Sequence, residues 1–266
     1  MKILVLVKNV PDSTATIKVK DDGSGIDTKG LKMVMNPFDE FAVEAALQFK
    51  EKNAAAAADI TVLTLGTATD VEVIRTAYAM GIEKGIHLCD DAFKGLDELT
   101  TAKVIAAAVK KDSYELILAG KMAIDYDSGQ LGPALAECLG WPHVGAVIAI
   151  QWAPDYKSVT VRRRIEGAEE VVEIRLPALL TIDKGLCEPR YPSLPGLMKA
   201  KKKPVDTRNA AALGLNPADL SREAAGTWLG EFAPPPPRPP GRKITGEPAD
   251  AAKELVKILH QEEKLV

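Results

Sequence analysis

Residues 60–88, ITVLTLGTATDVEVIRTAYAMGIEKGIHL, decide the fold. Ile60 to Leu65 is a short apolar run rich in β-branched residues, the pattern of a strand buried on both faces. Val71 to Met80 reads as a helix, and Gly81 stands where a helix ends in a left-handed turn. Ile86 to Leu88 is a second short strand. A strand, a helix and a strand in this order imply a right-handed crossover and parallel pairing.

The alternation extends on both sides. Ile3 to Val7 is a continuous apolar run and predicts a buried strand. Phe38, Phe41, Ala42, Ala45, Ala46 and Phe49 recur at steps of three and four, which makes an amphipathic helix. Asn36 suits its N-cap, Pro37 its first position, and Asp39 and Glu40 its positive end. Residues 102–111 predict an alanine-rich helix and residues 116–119 a fourth strand. The expected class is α/β, a mainly parallel sheet flanked by helices.

After Trp141 the pattern shifts. Residues 144–150, 158–164, 170–176 and 179–182 read as strands of a small antiparallel extension, with Glu166 and Gly167 as a turn. Residues 234–240, PPPPRPP, predict a stiff extended segment that spaces elements without packing a core. Residues 247–263 predict a last amphipathic helix with Ala251, Leu255, Ile258 and Leu259 on one face. The expected division is an α/β domain over 1–205 and a C-terminal arm over 206–266 that wraps a partner subunit.

Composition narrows the function. A length of 266 residues, 46% hydrophobic and 27% charged, suits an ordinary globular protein. A net charge of −3 argues against a general nucleic-acid binder. No apolar run reaches the length of a membrane span. The N-terminal run is too short for a signal peptide and meets Lys8, Pro11 and Asp12 at once. Cys89, Cys138 and Cys187 are scattered, as are His87, His143 and His260, so neither disulfides nor a metal site is expected. The expected compartment is a reducing cytosol.

Two stretches carry chemistry. Residues 120–133, GKMAIDYDSGQLGP, follow a buried strand and lead into a helix. Ligands of open α/β sheets sit at the carboxyl ends of strands, and a glycine-bearing turn into a helix points amide N–H groups at an anion. Ser128, Gly129, Gln130 and Gly132 would let a phosphate approach the backbone. Asp125 and Asp127 suit capping of the turn and ribose hydroxyls. An ordinary capped turn is the competing reading. Residues 188–203, EPRYPSLPGLMKAKKK, set Leu194, Leu197 and Met198 beside Lys199, Lys201, Lys202 and Lys203. Apolar anchors rimmed by charge suit docking to an acidic partner. The alternative is a lysine-rich helix start whose leucines face the core. Neither GxGxxG nor GxxxxGK[ST] occurs, and no nucleophile and base share an identifiable context. That fits a protein that holds a cofactor and leaves redox chemistry to it.

These stretches, with MNPFDEFAVEAAL at 35–47 and LPALLTIDKGLC leading into the second, resemble the beta (small) subunit of electron-transfer flavoproteins. Order and spacing match over essentially the whole chain. The resemblance implies an adenine-nucleotide-binding, Rossmann-like fold without GxGxxG. It implies contacts to AMP, or to a second FAD, from Leu6, Asn36, Pro37, Phe38, Asp39 and Leu65. The remaining contacts would come from Lys121, Met122, Ala123, Ile124, Asp125, Tyr126, Asp127, Ser128, Gly129, Gln130, Leu131 and Gly132, many through backbone groups. It further implies an alpha subunit carrying the redox-active FAD, Leu194 as the anchor for acyl-CoA-type dehydrogenases, and a quinone reductase or similar acceptor. The chain would be an electron carrier more than a stand-alone enzyme.

Two departures stand out. DYDSGQLGP shares its Gln-x-Gly-Pro ending with the FAD-holding, bifurcating branch (DGDTAQVGP), whereas MNPFDEFAVE resembles the AMP-holding branch, whose loop tends toward DDDxNQTGQ. Arg164 stands where the AMP branch often shows an acid, and a positive charge near a flavin would favour its anionic reduced forms. The rivals are therefore a bifurcating subunit whose FAD oxidises NADH and a stand-alone adenine-nucleotide module.

Overall fold

The computed structural model describes residues 1–221 and 224–265. They fall into two units, Met1–Glu231 and a C-terminal one that begins at Phe232. The first is built on β1 (Lys2–Leu6), β4 (Asp59–Leu65), β5 (Lys84–Leu88), β6 (Leu116–Gly120), β7 (His143–Trp152), β8 (Ser158–Ile165), β9 (Ala168–Arg175), β10 (Ala178–Ile182) and β11 (Asp206–Arg208). They form one sheet in the order β11-β5-β4-β1-β6-β10-β7-β8-β9, parallel from β11 to β7 and antiparallel beyond. The short strands β2 (Asn9–Pro11) and β3 (Met33–Met35) pair separately and antiparallel.

The helices are α1 (Pro37–Lys52), α2 (Val71–Met80), α3 (Glu98–Lys111), α4 (Leu131–Leu139), α5 (Leu194–Ala200) and α6 (Ala210–Leu213). β1 is central because it is apolar on both faces. Ile3 and Val5 enter one core layer with α1 and α2, and Leu4 and Leu6 enter the other with α3, α4 and α6. This is the two-sided burial expected of a parallel strand. From β1 the chain adds β4 and β5 on one side, then returns to place β6 on the other. That reversal makes a crevice at the carboxyl ends of β1 and β6.

Residues 179–182, which the sequence groups with the antiparallel extension, instead belong to β10 inside the parallel part, between β6 and β7. All five residues of β10 are buried, so ALLTI lacks the alternation that marks a one-sided strand. Only β7, β8 and β9 make the extension. Its β8–β9 turn falls at Glu166 and Gly167, the glycine at φ 69°. α3 starts at Glu98, four residues before position 102. The Asp97 carboxylate caps it by accepting the Thr100 amide at 2.7 Å, and exposed Leu99 hides the apolar period there. The helix expected over 71–80 is found at Val71–Met80.

In the C-terminal unit, residues 234–240 carry no regular element. The helix α7 (Pro248–Lys257) follows and runs into a π-helical turn, Ile258–Glu262. Arg242 ties the preceding stretch to it through Glu254 and Glu262. Leu255 and Val256 are exposed. No helix among the described residues is long and apolar enough to cross a membrane.

Candidate functional site

At the crevice the chain crosses from β1 into residues 7–9, and from β6 into residues 121–130. Asp39, in the first turn of α1, joins the two crossings. It is buried, and its two carboxylate oxygens accept the backbone N–H groups of Lys8 at 2.8 Å and Gly120 at 3.0 Å. Burial pushes the Asp39 carboxyl up to about 7, against the pull of those two amides. Gly120 fits because it has no side chain. A Cβ there would lie 2.4 Å from the Asp39 Oδ1 and 2.7 Å from the Phe38 Cβ.

Asn36 occupies the N-cap position of α1, as its sequence context suggests, but its side chain makes no cap bond. Its Nδ2 donates to the Met122 carbonyl at 2.9 Å and its Oδ1 accepts the Ile124 amide at 3.2 Å. A fully buried amide with a donor and an acceptor can satisfy two orphan backbone groups of a passing loop, which a cap bond would not. The 36–39 turn therefore shapes the 121–124 segment from beneath.

Beyond Ile124 the loop turns on the Ala123 carbonyl, which accepts the amides of Tyr126 and Asp127. Asp127 and Gly129 adopt left-handed backbone, φ 51° and 61°. No hydrogen bond from the amides of Ser128, Gly129, Gln130, Leu131 or Gly132 occurs among the described residues. They collect at the start of α4, the positive end of its dipole. Gly132 lets α4 press on β10, since a Cβ would meet Thr181 Cγ2 at 2.3 Å. The loop is braced from outside by Lys8, whose Nζ lies 2.7 Å from Asp125 and 4.6 Å from the Tyr126 ring centroid. Ser128 donates to Glu98 at 2.7 Å.

Lys121 and Arg164 both reach Asp183, a buried carboxylate just past β10, each at 3.1 Å. Lys121 also covers the Phe38 ring at 5.0 Å. Two cations on one carboxylate leave this rim positive. Leu6 and Leu65 end β1 and β4, and their side chains pack into the α3–α4 core layer, so only their backbone faces the crevice. Pro37 is exposed beside Phe38. The structure thus gathers the 36–39 turn, Leu6, Leu65 and the 121–132 loop around one crevice.

It places the second predicted group elsewhere. Residues 194–200 form α5, which packs on α2 and not on the 121–132 loop. The helix start weighed as the alternative is present, yet its apolar residues face outward: Leu194 is 79% exposed and Met198 68%. Leu197, Lys199, Lys201 and Lys202 are exposed as well. Lys203 turns back, donating to the Ile82 carbonyl at 3.1 Å over the Tyr78 ring. A cleft of about 570 Å³ lined by Glu115, Asp155, Glu173 and Arg175 opens at the amino ends of β6 and β10, and none of the candidate residues lines it.

The electron transfer flavoprotein domain matches residues 24–213, which include α5 and the crevice residues other than Leu6 and Lys8. The chain belongs to the electron transfer flavoprotein beta-subunit family. It is 36% identical to an electron transfer flavoprotein subunit beta of Bacillus subtilis, with all of both chains covered. It is 41% identical to that of Bradyrhizobium diazoefficiens and to that of Bos taurus, over 81% of this chain and 84% of each relative.

Several residues that build the crevice are not legible in the sequence. Lys8, Gly120 and Asp183 act through contacts 31 to 117 residues away in the chain. The one local signal was the glycine at the end of an apolar strand, a mark of close backbone approach. Arg190 was likewise missed. It grips Glu44 at 2.7 and 3.0 Å and Glu51 at 2.7 Å, both on α1.

Proposed function

We propose that the chain binds an adenine nucleotide at the β1–β6 crevice and works as the beta subunit of a heterodimeric electron-transfer flavoprotein. The observation that carries the nucleotide reading is the set of unclaimed amides over 128–132. They meet at the N-terminus of a nine-residue helix, in a loop whose Asp125 and Ser128 side chains are engaged by Lys8 and Glu98 and whose backbone at Met122 and Ile124 is held by Asn36. An anion would supply the missing acceptors. The group fits: backbone N–H donors are free and Lys121 adds positive charge. Asp127 is exposed and would accept ribose hydroxyls. Asn36 and Asp39 would hold the loop rather than the ligand.

The nucleotide is AMP or FAD. AMP is a structural ligand, whereas FAD would supply electron-accepting chemistry when bound. The Gln130 to Pro133 ending favours the second reading, in which the chain belongs to a bifurcating complex that oxidises NADH. The redox-active FAD of the simple carrier would sit with an alpha subunit, which the C-terminal arm would wrap. α5 would dock on acyl-CoA-type dehydrogenases through Leu194, Leu197 and Met198. Lys199, Lys201 and Lys202 would steer the encounter, and a quinone reductase or similar acceptor would take the electrons. Small docking surfaces suit electron transfer, where weak contact suffices.

The test is to purify the chain with its alpha subunit, denature the complex and count the released nucleotides. One FAD and one AMP per heterodimer would establish the carrier, and two FADs the bifurcating form. No adenine nucleotide beyond a single FAD would overturn the crevice reading.

A further inference from the structure

α5 is too short to be stable alone, and its packing does not explain why it holds its shape. A seven-residue helix in water is far below the length at which helices persist. Among its residues only Ala200 is buried, so the core contributes little, and its three large apolar side chains point outward. What holds it is polar and sits at its two ends. At the start, the Ser193 hydroxyl accepts the Gly196 amide at 3.1 Å. At the far end, Arg75 on α2 brings one guanidinium nitrogen to three carbonyls, Ala200 at 2.7 Å, Lys201 at 3.1 Å and Lys203 at 3.4 Å. The first two belong to the last helical residue and the C-cap, where a helix leaves its acceptors unsatisfied and its dipole negative.

Two further bonds lock the exit. Tyr78, one turn along α2, donates its hydroxyl to the Pro204 carbonyl at 2.9 Å. Lys203 donates to the Ile82 carbonyl. Between the ends, Gly196 lies so close to α2 that a Cβ would stand 2.7 Å from the Ala79 carbonyl oxygen. Among the described residues the hydrogen bonds of Arg75 all go to these carbonyls, and its ion pair is with Glu72 at 3.7 Å.

We infer that Arg75, seconded by Tyr78 and Lys203, is the positioning residue that sets the pose of α5 and so presents Leu194, Leu197 and Met198 to an electron donor. The inference rests on the docking role proposed for α5. It adds that this pose is fixed from α2, by a residue that never touches the donor.

The experiment uses the heterodimer and the variants Arg75→Ala, Arg75→Lys and Leu194→Ala. Two readouts are taken: trypsin cleavage after Lys199, Lys201 and Lys202, and the dependence of reduction by an acyl-CoA dehydrogenase on carrier concentration. Arg75→Ala is expected to speed cleavage and to raise KM for the carrier about tenfold, the scale of one lost charge-assisted hydrogen bond. kcat and nucleotide content stay unchanged, and Arg75→Lys recovers part of the loss. Leu194→Ala raises KM without faster cleavage. Cleavage of Arg75→Ala at the wild-type rate would overturn the clamp. Faster cleavage with an unaltered KM in both alanine variants would keep the clamp and overturn the docking role of α5.

Discussion

At the scale of single residues, Asp39 shows how one carboxylate can hold a site together without facing a ligand. Both of its oxygens accept backbone N–H groups, one from each side of the crevice. Asparagine is isosteric but offers one acceptor and one NH₂, which would face a donor. Asp39→Asn should therefore cost about 1–3 kcal/mol, the penalty for an unmet buried group. A second expectation follows from its acidity. The folded pKa, about 7, lies above the ordinary 3.8. Between these values the folded chain binds the extra proton, so Asp39's contribution to stability falls as pH rises from about 4 to about 7. A neutral carboxyl can still accept through both oxygens while its proton points aside, so the Asp39→Asn penalty should be larger at pH 5 than at pH 7.5. Urea melts of both proteins at the two pH values would show this. A penalty that does not shrink with rising pH would contradict it.

At the scale of elements, close approach decides which glycines matter. Gly120→Ala would push a methyl group into Asp39 and the Phe38 backbone. It should destabilise by about 1–3 kcal/mol, as overpacking does, and lower the nucleotide content of the purified complex. Thermal melting with nucleotide quantification checks both. Arg190→Ala leaves Glu44 buried without its cation. Burial alone would raise the Glu44 carboxyl, and the Arg190 bonds more than offset it, so it sits below its usual range. Because Arg190 is one-third exposed, the loss should be about 2 kcal/mol, less than for a fully buried pair. It should vanish as acid protonates Glu44, since a depressed carboxylate gives its stability above the unfolded pKa and loses it below. The parallel strands were legible because double-sided burial writes continuous apolar runs such as Ile3 to Val7. The place of β10 is not legible, because a run of four residues, 179–182, cannot say which strands flank it. The 121–132 loop was legible as a turn into a helix. The side chains that brace it were not, because Lys8 meets Asp125 across 117 positions and nothing local marks the pair.

At the scale of the whole molecule, a chain of net charge −3 keeps a local positive rim on α5. Its lysines do not share one task. Lys199, Lys201 and Lys202 point into solvent, whereas Lys203 spends its charge on the Ile82 carbonyl and the Tyr78 ring. A charge exposed at the edge of an interface acts mainly on association rate and its salt dependence, and a charge bonded within the fold acts on stability. Removing Lys201 and Lys202 together should therefore slow second-order reduction by an acidic donor about tenfold at low salt, the lower end of electrostatic steering. The difference from wild type should fade near 0.5 M salt, where the screening length drops to about 4 Å. Lys203→Ala should keep the wild-type salt slope and instead lower the melting temperature, because it opens the exit of α5. Stopped-flow reduction across a salt series, with thermal melts of the same proteins, separates the two roles. A flattened salt slope in Lys203→Ala, or an unchanged slope in the double variant, would show that the rim does not steer as its geometry implies.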